Sequence, residues 1–202
     1  MKARLIAIAG GSGSGKSWLA RRLRRRLGAR AGLLSLDDFY CDLAGLERPA
    51  RDRVNFDDPA AIDWELCEAC LRRIQAGEPC MLPRYDFTTH TRRAGGRRWR
   101  LRPVVLVEGL WPLHRPGLRR LFALSVFVAC APETRLARRV ERDQQERGRT
   151  RASVLRQFVE HVGPMHDRFV EPQRRRADVV LTSPFPRRAV TELVARIAIL
   201  AG

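Results

Sequence analysis

Eight consecutive residues, Gly10-Gly11-Ser12-Gly13-Ser14-Gly15-Lys16-Ser17, satisfy the pattern G-x-x-x-x-G-K-[ST] at every fixed position. The chemistry such a stretch can perform is the holding of a polyphosphate. Glycines let the backbone turn successive N–H groups inward around phosphate oxygens, where side chains would clash. Lys16 is placed to reach the β- and γ-phosphates and Ser17 to hold Mg2+. Among the 39 basic residues only positions 2 and 16 are lysine. A chain that uses arginine almost everywhere has lysine where a compact charge on a flexible stem fits between phosphates.

Other charged residues could complete this chemistry. Glu108 closes the apolar run Val104-Val105-Leu106-Val107 and precedes Gly109. An acid at the end of such a strand can act on Mg2+ beside a phosphate loop. Asp37 and Asp38 follow the apolar stretch 32–36. Residues just past the carboxyl end of a strand lie where open α/β sheets bind ligands. Either acid therefore faces the phosphate site or caps a turn. Arg135, Arg138, Arg139 and Arg142 recur at i, i+3 and i+4, so they share a helix face. They either clamp a transferring phosphoryl group or stand solvated.

These groups need a scaffold. Leu5, Ile6, Ala7, Ile8 and Ala9 form an unbroken apolar run, as a strand buried on both faces would. Leu19, Ala20, Leu23 and Leu27 repeat at helical spacing. The glycine loop thus lies between a strand and a helix, whose positive end near Lys16 faces the phosphates. Further strands are expected over 32–36, 104–107, 124–130 and 178–181. Helices are expected over 60–75, stopped by Gly77, then 132–146, 152–170 with a break at Gly163-Pro164, and 187–200. Segment 41–60 is polar and irregular. Residues 80–82 and 97–101 pair as a small hairpin across 84–96, a loop that brings Tyr85, Asp86, Phe87 and His90 together. The alternation predicts an α/β fold: a mainly parallel five-stranded sheet with helices on both faces.

Composition sets bounds on this picture. The net charge of +17 comes almost wholly from arginine. It reads either as attraction to nucleotides or nucleic acid or as a compositional preference with the charges solvated, since the arginines are spread along the chain. Five cysteines, an odd number with no secretory signal, point to reduced thiols and a cytoplasmic location. Cys67-x-x-Cys70 falls inside a helical pattern without a second pair, and is expected to pack rather than bind metal. No apolar run reaches 18 residues, so no membrane span is expected.

The segments GGSGSGKS, LDDFY, NFDDP, PRYDFTTHTR, VVLVEG, RLARRVERDQQERGR and ADVVL stand in the order found in uridine kinases. From about residue 5 to 181 the chain resembles the uridine–cytidine kinase family, in the phosphoribulokinase/uridine kinase group of P-loop kinases. The resemblance implies a P-loop kinase fold in one domain, 1–202, with a hairpin insertion at about 80–101 and a helical lid at about 139–152. It implies ATP-dependent phosphorylation of the 5′-hydroxyl of uridine or cytidine, with ATP and Mg2+ as cofactors and a small nucleoside as partner. Asp37 resembles the general base that takes the 5′-hydroxyl proton, and Ser17 and Glu108 the residues around Mg2+. Asp57 would hold the ribose hydroxyls, with Arg139, Arg149 and Gln157 also on the nucleoside side. Tyr40 joins the substrate side, and Tyr85 and His90 would contact the base. Arg142 resembles a lid arginine near the ATP phosphates.

One stretch departs from the family pattern. After ADVVL the chain reads Thr182-Ser183-Pro184-Phe185-Pro186, without the usual glycine. That leaves ATP against GTP open, and the sequence also leaves open a homo-oligomer. Three other classes compete with this reading. A kinase of another small alcohol is opposed by the YDF-x-x-H segment. A regulatory GTPase would need Asn-Lys-x-Asp, which is absent because Lys2 and Lys16 follow Met1 and Gly15. A nucleic-acid-dependent ATPase would suit the charge. However, Glu108 is followed by Gly109 rather than a second acid, and the chain is short for a motor.

Overall fold

The computed structural model describes residues 2–201. β1 (Arg4–Gly10) runs into the glycine loop, and α1 (Lys16–Leu27) follows it. β2 (Ala31–Ser35) ends in a 3₁₀ turn, Leu36–Phe39, and a short helix α2 (Arg48–Arg51) interrupts the polar segment after it. α3 (Trp64–Ala76) leads into four two-residue strands, β3 (Met81–Leu82), β4 (Tyr85–Asp86), β5 (Thr91–Arg92) and β6 (Arg97–Arg98). β7 (Val104–Gly109), the short α4 (Pro116–Arg119), β8 (Phe122–Ala129) and α5 (Pro132–Arg147) come next. A long helical passage begins with α6 (Arg151–Gln157) and includes α7 (Gly163–Met165). β9 (Val179–Thr182) and α8 (Arg187–Leu200) end the fold.

The central sheet has five strands in the order β2-β7-β1-β8-β9, all parallel. Both faces are covered, which is why β1, β7 and most of β8 are continuous apolar runs. Alternate residues divide between two cores. Leu5, Ala7, Val105 and Val107 pack with Leu71 and Ile74 of α3 on one face. Ile6, Ile8, Leu106 and Val126 pack with Leu19 and Leu23 of α1 and Leu193 and Ile197 of α8 on the other. Cys67 and Cys70 are buried in the first core, where burial pushes the Cys70 thiol up to about 12. They are packing thiols, as expected. Among the described residues no helix is long and apolar enough to cross a membrane.

The structure shifts several expected boundaries. β2 starts one residue early, and Leu36 already belongs to the 3₁₀ turn. α3 starts at Trp64 rather than near 60. Asp58 first caps a separate 3₁₀ turn, Pro59–Ala61, and Asp63 then caps the helix by accepting from the Leu66 N–H. The hairpin β3–β6 is present but shorter than expected, and its loop holds a second hairpin, β4–β5. The expected break at Gly163-Pro164 is absent. The chain stays helical there because it widens into π-turns on each side, Phe158–Val162 and His166–Val170. Wider turns relieve the contact between a proline ring and the carbonyl four residues back.

Candidate active site

The register of the sheet assembles the first part of the site. Glu108 lies opposite Ile8 of β1 and Ser35 of β2, at the carboxyl edge where β1 opens into the glycine loop. Ser17 Oγ donates to Glu108 Oε2 at 2.8 Å, and Ser35 Oγ donates to Oε1 at 3.1 Å. Ser35 Oγ also accepts from the Asp37 N–H at 3.3 Å, which ties the acidic turn to the same carboxylate. Asp38 is the next residue of that turn. Burial raises its pKa, Arg97 at 3.9 Å opposes this, and the Glu108 charge adds to it. Asp37 and Asp38 thus both stand on the turn beside Glu108. A hydroxyl and a buried carboxylate in contact are hard oxygen donors. They suit Mg2+, which is usually held by one or two carboxylates together with substrate phosphates.

Gly13 and Gly15 take left-handed φ angles of 78° and 95°, which glycine adopts without penalty. Gly13 has a second reason to lack a side chain, because a Cβ there would collide with the Arg135 carbonyl of α5. Lys16 makes no ion pair among the described residues.

Arg138, Arg139 and Arg142 of α5 are held by protein groups rather than solvated. Arg138 donates to the Gly13 and Ser14 carbonyls at 3.3 and 3.4 Å and to Ser183 Oγ at 2.9 Å. Arg139, 5% exposed, donates to Ser12 Oγ at 2.8 Å and to Gln157 Oε1 at 2.9 Å, with Asp57 Oδ1 at 3.8 Å. Arg149 donates to the same Gln157 oxygen and to Ser153 Oγ. The four residues expected on the nucleoside side, Asp57, Arg139, Arg149 and Gln157, therefore meet in one place next to the phosphate loop. Arg142 is held by Asp143, accepting at 2.7 Å, and this carboxylate also lies 3.6 Å from Arg139 and 3.7 Å from Arg149. Sequence reasoning missed Asp143, which is wholly buried. The available signal was an acid set four residues after Arg139 within an arginine series. Ser35 was also not assigned a role, and Arg138, expected either to clamp a phosphoryl group or to stand solvated, instead ties the phosphate loop to Ser183.

A cluster of rings stands on the other side of Asp57. Phe56 stacks on His90 with centroids 4.6 Å apart at 21°, and Tyr40 meets Phe56 edge-on at 5.2 Å. Tyr85 lies 5.3 Å from both Tyr40 and Phe87. The Tyr40 hydroxyl donates to the Phe56 carbonyl at 3.0 Å. Among the described residues, the buried Tyr85 hydroxyl and His90 Nδ1 have no hydrogen-bond partner. His90 also sits at φ 56°, uncommon for a residue other than glycine and a form of strain that clusters at functional sites. Burial lowers the His90 pKa, so its ring is neutral near neutral pH.

Comparison with known proteins agrees with this geometry. The profile of the phosphoribulokinase / uridine kinase family matches residues 5–190. A uridine kinase from Deinococcus deserti is 43% identical over 178 residues, covering 88% of this chain and 86% of that protein. A uridine kinase from Chloroflexus aggregans is 42% identical over 177 residues, covering 87% and 85%. The crystal structure assigned to a fructose transport system kinase from a Silicibacter species superposes with a TM-score of 0.72 at 25% identity, covering 89% of each chain. With the phosphate loop, the Ser17–Glu108 pair and the α5 arginines in place, and with matches over nearly its whole length, this chain belongs to the phosphoribulokinase / uridine kinase family of P-loop kinases.

Proposed function

We propose that the protein is a uridine/cytidine kinase, transferring the terminal phosphoryl group of a nucleoside triphosphate to the 5′-hydroxyl of the nucleoside. The observation that carries the reading is a chain of contacts. Ser12 of the phosphate loop bonds Arg139, Arg139 faces Asp57, and Asp57 adjoins Phe56 in a ring cluster that holds two unpaired polar atoms. Such an arrangement suits an acceptor with a hydroxylated part near the phosphates and a flat, polar, aromatic part farther away. The names of the relatives at 43% and 42% identity support the same acceptor.

Phosphoryl transfer asks mainly for positioning and charge neutralisation. Asp37 accepts the 5′-hydroxyl proton. Lys16 and the loop N–H groups hold the β- and γ-phosphates, with Arg142 over them once it turns from Asp143. Ser17 and Glu108 would hold Mg2+, which would supply neutralisation of the charge developing on the phosphates. Asp57, with Arg139, Arg149 and Gln157, holds the ribose, while Tyr40, Tyr85 and His90 line the base. Residues 139–152 form the lid and 80–101 the hairpin that carries the base site. The test is phosphoryl transfer from ATP to uridine, cytidine, adenosine, fructose and single-stranded DNA. Turnover with the two pyrimidine nucleosides alone is expected, and turnover with fructose and neither pyrimidine would overturn the reading.

A further inference from the structure

The segment that leaves β7 is clamped by a buried side chain. Gln173 accepts from the Leu113 N–H at 2.9 Å and donates to the Leu110 carbonyl at 2.7 Å. The next residue, His114, therefore has a fixed place. Its half-buried ring neighbours Trp64 of α3 at 6.0 Å and Phe169 of the π-turn His166–Val170, edge-on, at 5.7 Å. An exposed arginine lies over each of those two rings: Arg115 is 5.7 Å from the Trp64 centroid, and Arg168 is 4.8 Å from that of Phe169. Two more arginines reach the same segment from different elements. Arg119 of α4 donates to the Leu113 carbonyl at 3.3 Å. Arg176, at the end of the 3₁₀ turn Glu171–Arg176, donates to the His114 carbonyl at 3.4 Å. None of these four arginines forms a salt bridge among the described residues, whereas the nearby Arg174 pairs with Glu171. Burial lowers the His114 pKa, and Arg176, Arg115 and Arg119 lower it further against the single charge of Asp58. Glu68 is also close, beside Gly117, but it pairs with Arg72. Cations held this near one another repel, and here two are pinned to successive carbonyls rather than neutralised by acids.

We infer that this surface binds single-stranded nucleic acid, with phosphates on Arg119 and Arg176 and unstacked bases on His114 and on the ring-backed guanidinium groups of Arg115 and Arg168. The guanidinium fork matches phosphate oxygens and its plane stacks on flat rings. A single strand offers both partners at once, because its bases can splay out onto aromatic side chains and arginine planes. A duplex keeps its base faces stacked inside. The net charge of +17 draws any polyanion toward the chain, and the rings among the unpaired arginines select the single strand. None of these residues belongs to the phosphate loop, the Ser17–Glu108 pair, the groups around Asp57 or the Tyr85–His90 cluster, so the inference does not depend on the acceptor.

The experiment measures fluorescence anisotropy of a labelled oligouridylate of about twelve nucleotides, within the usual span of a single-strand site. A DNA duplex of the same length and inorganic polyphosphate are the comparison ligands, and excess Mg–ADP with uridine occupies the phosphate loop and acceptor groups. The oligouridylate should bind more tightly than the duplex and should not be displaced by Mg–ADP and uridine. Arg119→Gln with Arg176→Gln should weaken it by at least about tenfold and flatten the plot of log affinity against log salt by about 1.4, the share of two phosphate contacts to a single strand. His114→Ala should weaken it by roughly five- to hundredfold, the span of one base–aromatic stack, and leave polyphosphate, which has no bases, unchanged. His114→Phe should recover most of that loss. Should the alanine chain not fold, Arg115→Ala with Arg168→Ala, both at exposed positions, reads the same selective loss. Phosphorylation of uridine should stay within about twofold of the parent in all the folded variants. An unchanged salt slope in the Arg119/Arg176 variant overturns the inference. So does duplex bound as tightly as the single strand, polyphosphate weakened as much as the oligouridylate by the ring variants, or displacement by Mg–ADP and uridine. Failure of the parent to phosphorylate uridine would overturn the acceptor assignment and leave these binding results standing.

Discussion

Asp143→Asn should be a strongly damaging change in residues 139–152, the proposed lid. The carboxylate has no exposed surface, and three guanidinium groups surround it. Arg142 donates twice to Oδ1, at 2.8 and 2.7 Å, while Arg139 and Arg149 lie 3.6 and 3.7 Å from Oδ2. Removing one partner from a buried ionic group costs about 3–5 kcal/mol, because the other charges stay buried without compensation. Asparagine keeps one acceptor oxygen for Arg142, which places the loss near the lower figure. For a chain of this size each 1 kcal/mol lowers Tm by about 2–4 °C, so a fall of roughly 6–12 °C is expected. Arg139 and Arg149 also lose the charge that aims them at Gln157 and Asp57, so KM for uridine should rise by at least about tenfold. Glu192→Gln is the control. Its pair with Arg188 is largely exposed on both sides, and such pairs contribute about 0–1 kcal/mol. Thermal unfolding and uridine kinetics of the two variants decide the matter. A Tm for Asp143→Asn within about 2 °C of the parent, with an unchanged KM for uridine, would refute the view that this acid organises the lid.

Four further outcomes follow from the same geometry. Lys16→Ala should lower kcat by at least about a hundredfold, on the scale of a lost electrostatic contact to the transition state, with an unchanged unfolding temperature. Glu108→Gln keeps one of the two acceptor oxygens used by Ser17 and Ser35 and removes the charge, so the Mg2+ concentration for half-maximal rate should rise by about tenfold or more; an unaltered Mg2+ dependence would exclude Glu108 from the metal. His90→Ala should lower kcat/KM for uridine and cytidine alike by about tenfold, the cost of a lost hydrogen bond with its base edge left unpaired. Because burial holds the His90 pKa below 6.5, the acid limb due to His90 should lie below that pH; as pH falls the unfolded chain protonates first, so stability is full above 6.5 and declines below it, as pH-dependent unfolding would record. Gly148→Ala should cost about 1 kcal/mol, since this glycine is left-handed with open space around it, and Gly28→Ala, at φ 58° and ψ −136°, should cost more; only Gly148→Ala should raise KM for uridine, because the Arg149 N–H bonds the Asp143 carbonyl across that turn.

The sheet and the loop were legible because one local rule governs each. Unbroken apolar runs mark strands covered on both faces, and G-x-x-x-x-G-K-S between a strand and a helix admits few structures. Glu108 and Ser17 could be paired in advance because both stand at strand or helix ends in known order. Asp143 was hidden because an acid among arginines on a helix reads as one more surface pair, and only burial shows otherwise. The continuity of the helix through Pro164 was hidden for a related reason. Proline forbids a bond at one residue, but whether the turn widens to accommodate it depends on what packs around it. His90 was legible as a candidate, while its left-handed backbone and its stack on Phe56 depend on residues 34 positions away in sequence and closed by a nested hairpin.

The net charge alone separated nothing, yet its local distribution bears on function. Many arginines form exposed pairs with acids, such as Arg48–Asp52, Arg72–Glu68 and Arg188–Glu192, and those do little for the fold. Around the glycine loop the balance is different. Arg135 is 3% exposed and makes its nearest aromatic contact with Phe158 at 5.6 Å, its guanidinium lying against Gly11. Burial lowers its pKa, but an arginine stays charged at any physiological pH. With Arg138, Arg139 and Lys16 it gives the loop four cations, of which Arg135 and Arg139 are buried, set against Glu108, Asp57 and Asp143. Cations held this close repel one another. A polyphosphate carries the negative charge that relieves this, so the excess of arginine near the loop converts into affinity for the ligand rather than stability of the fold.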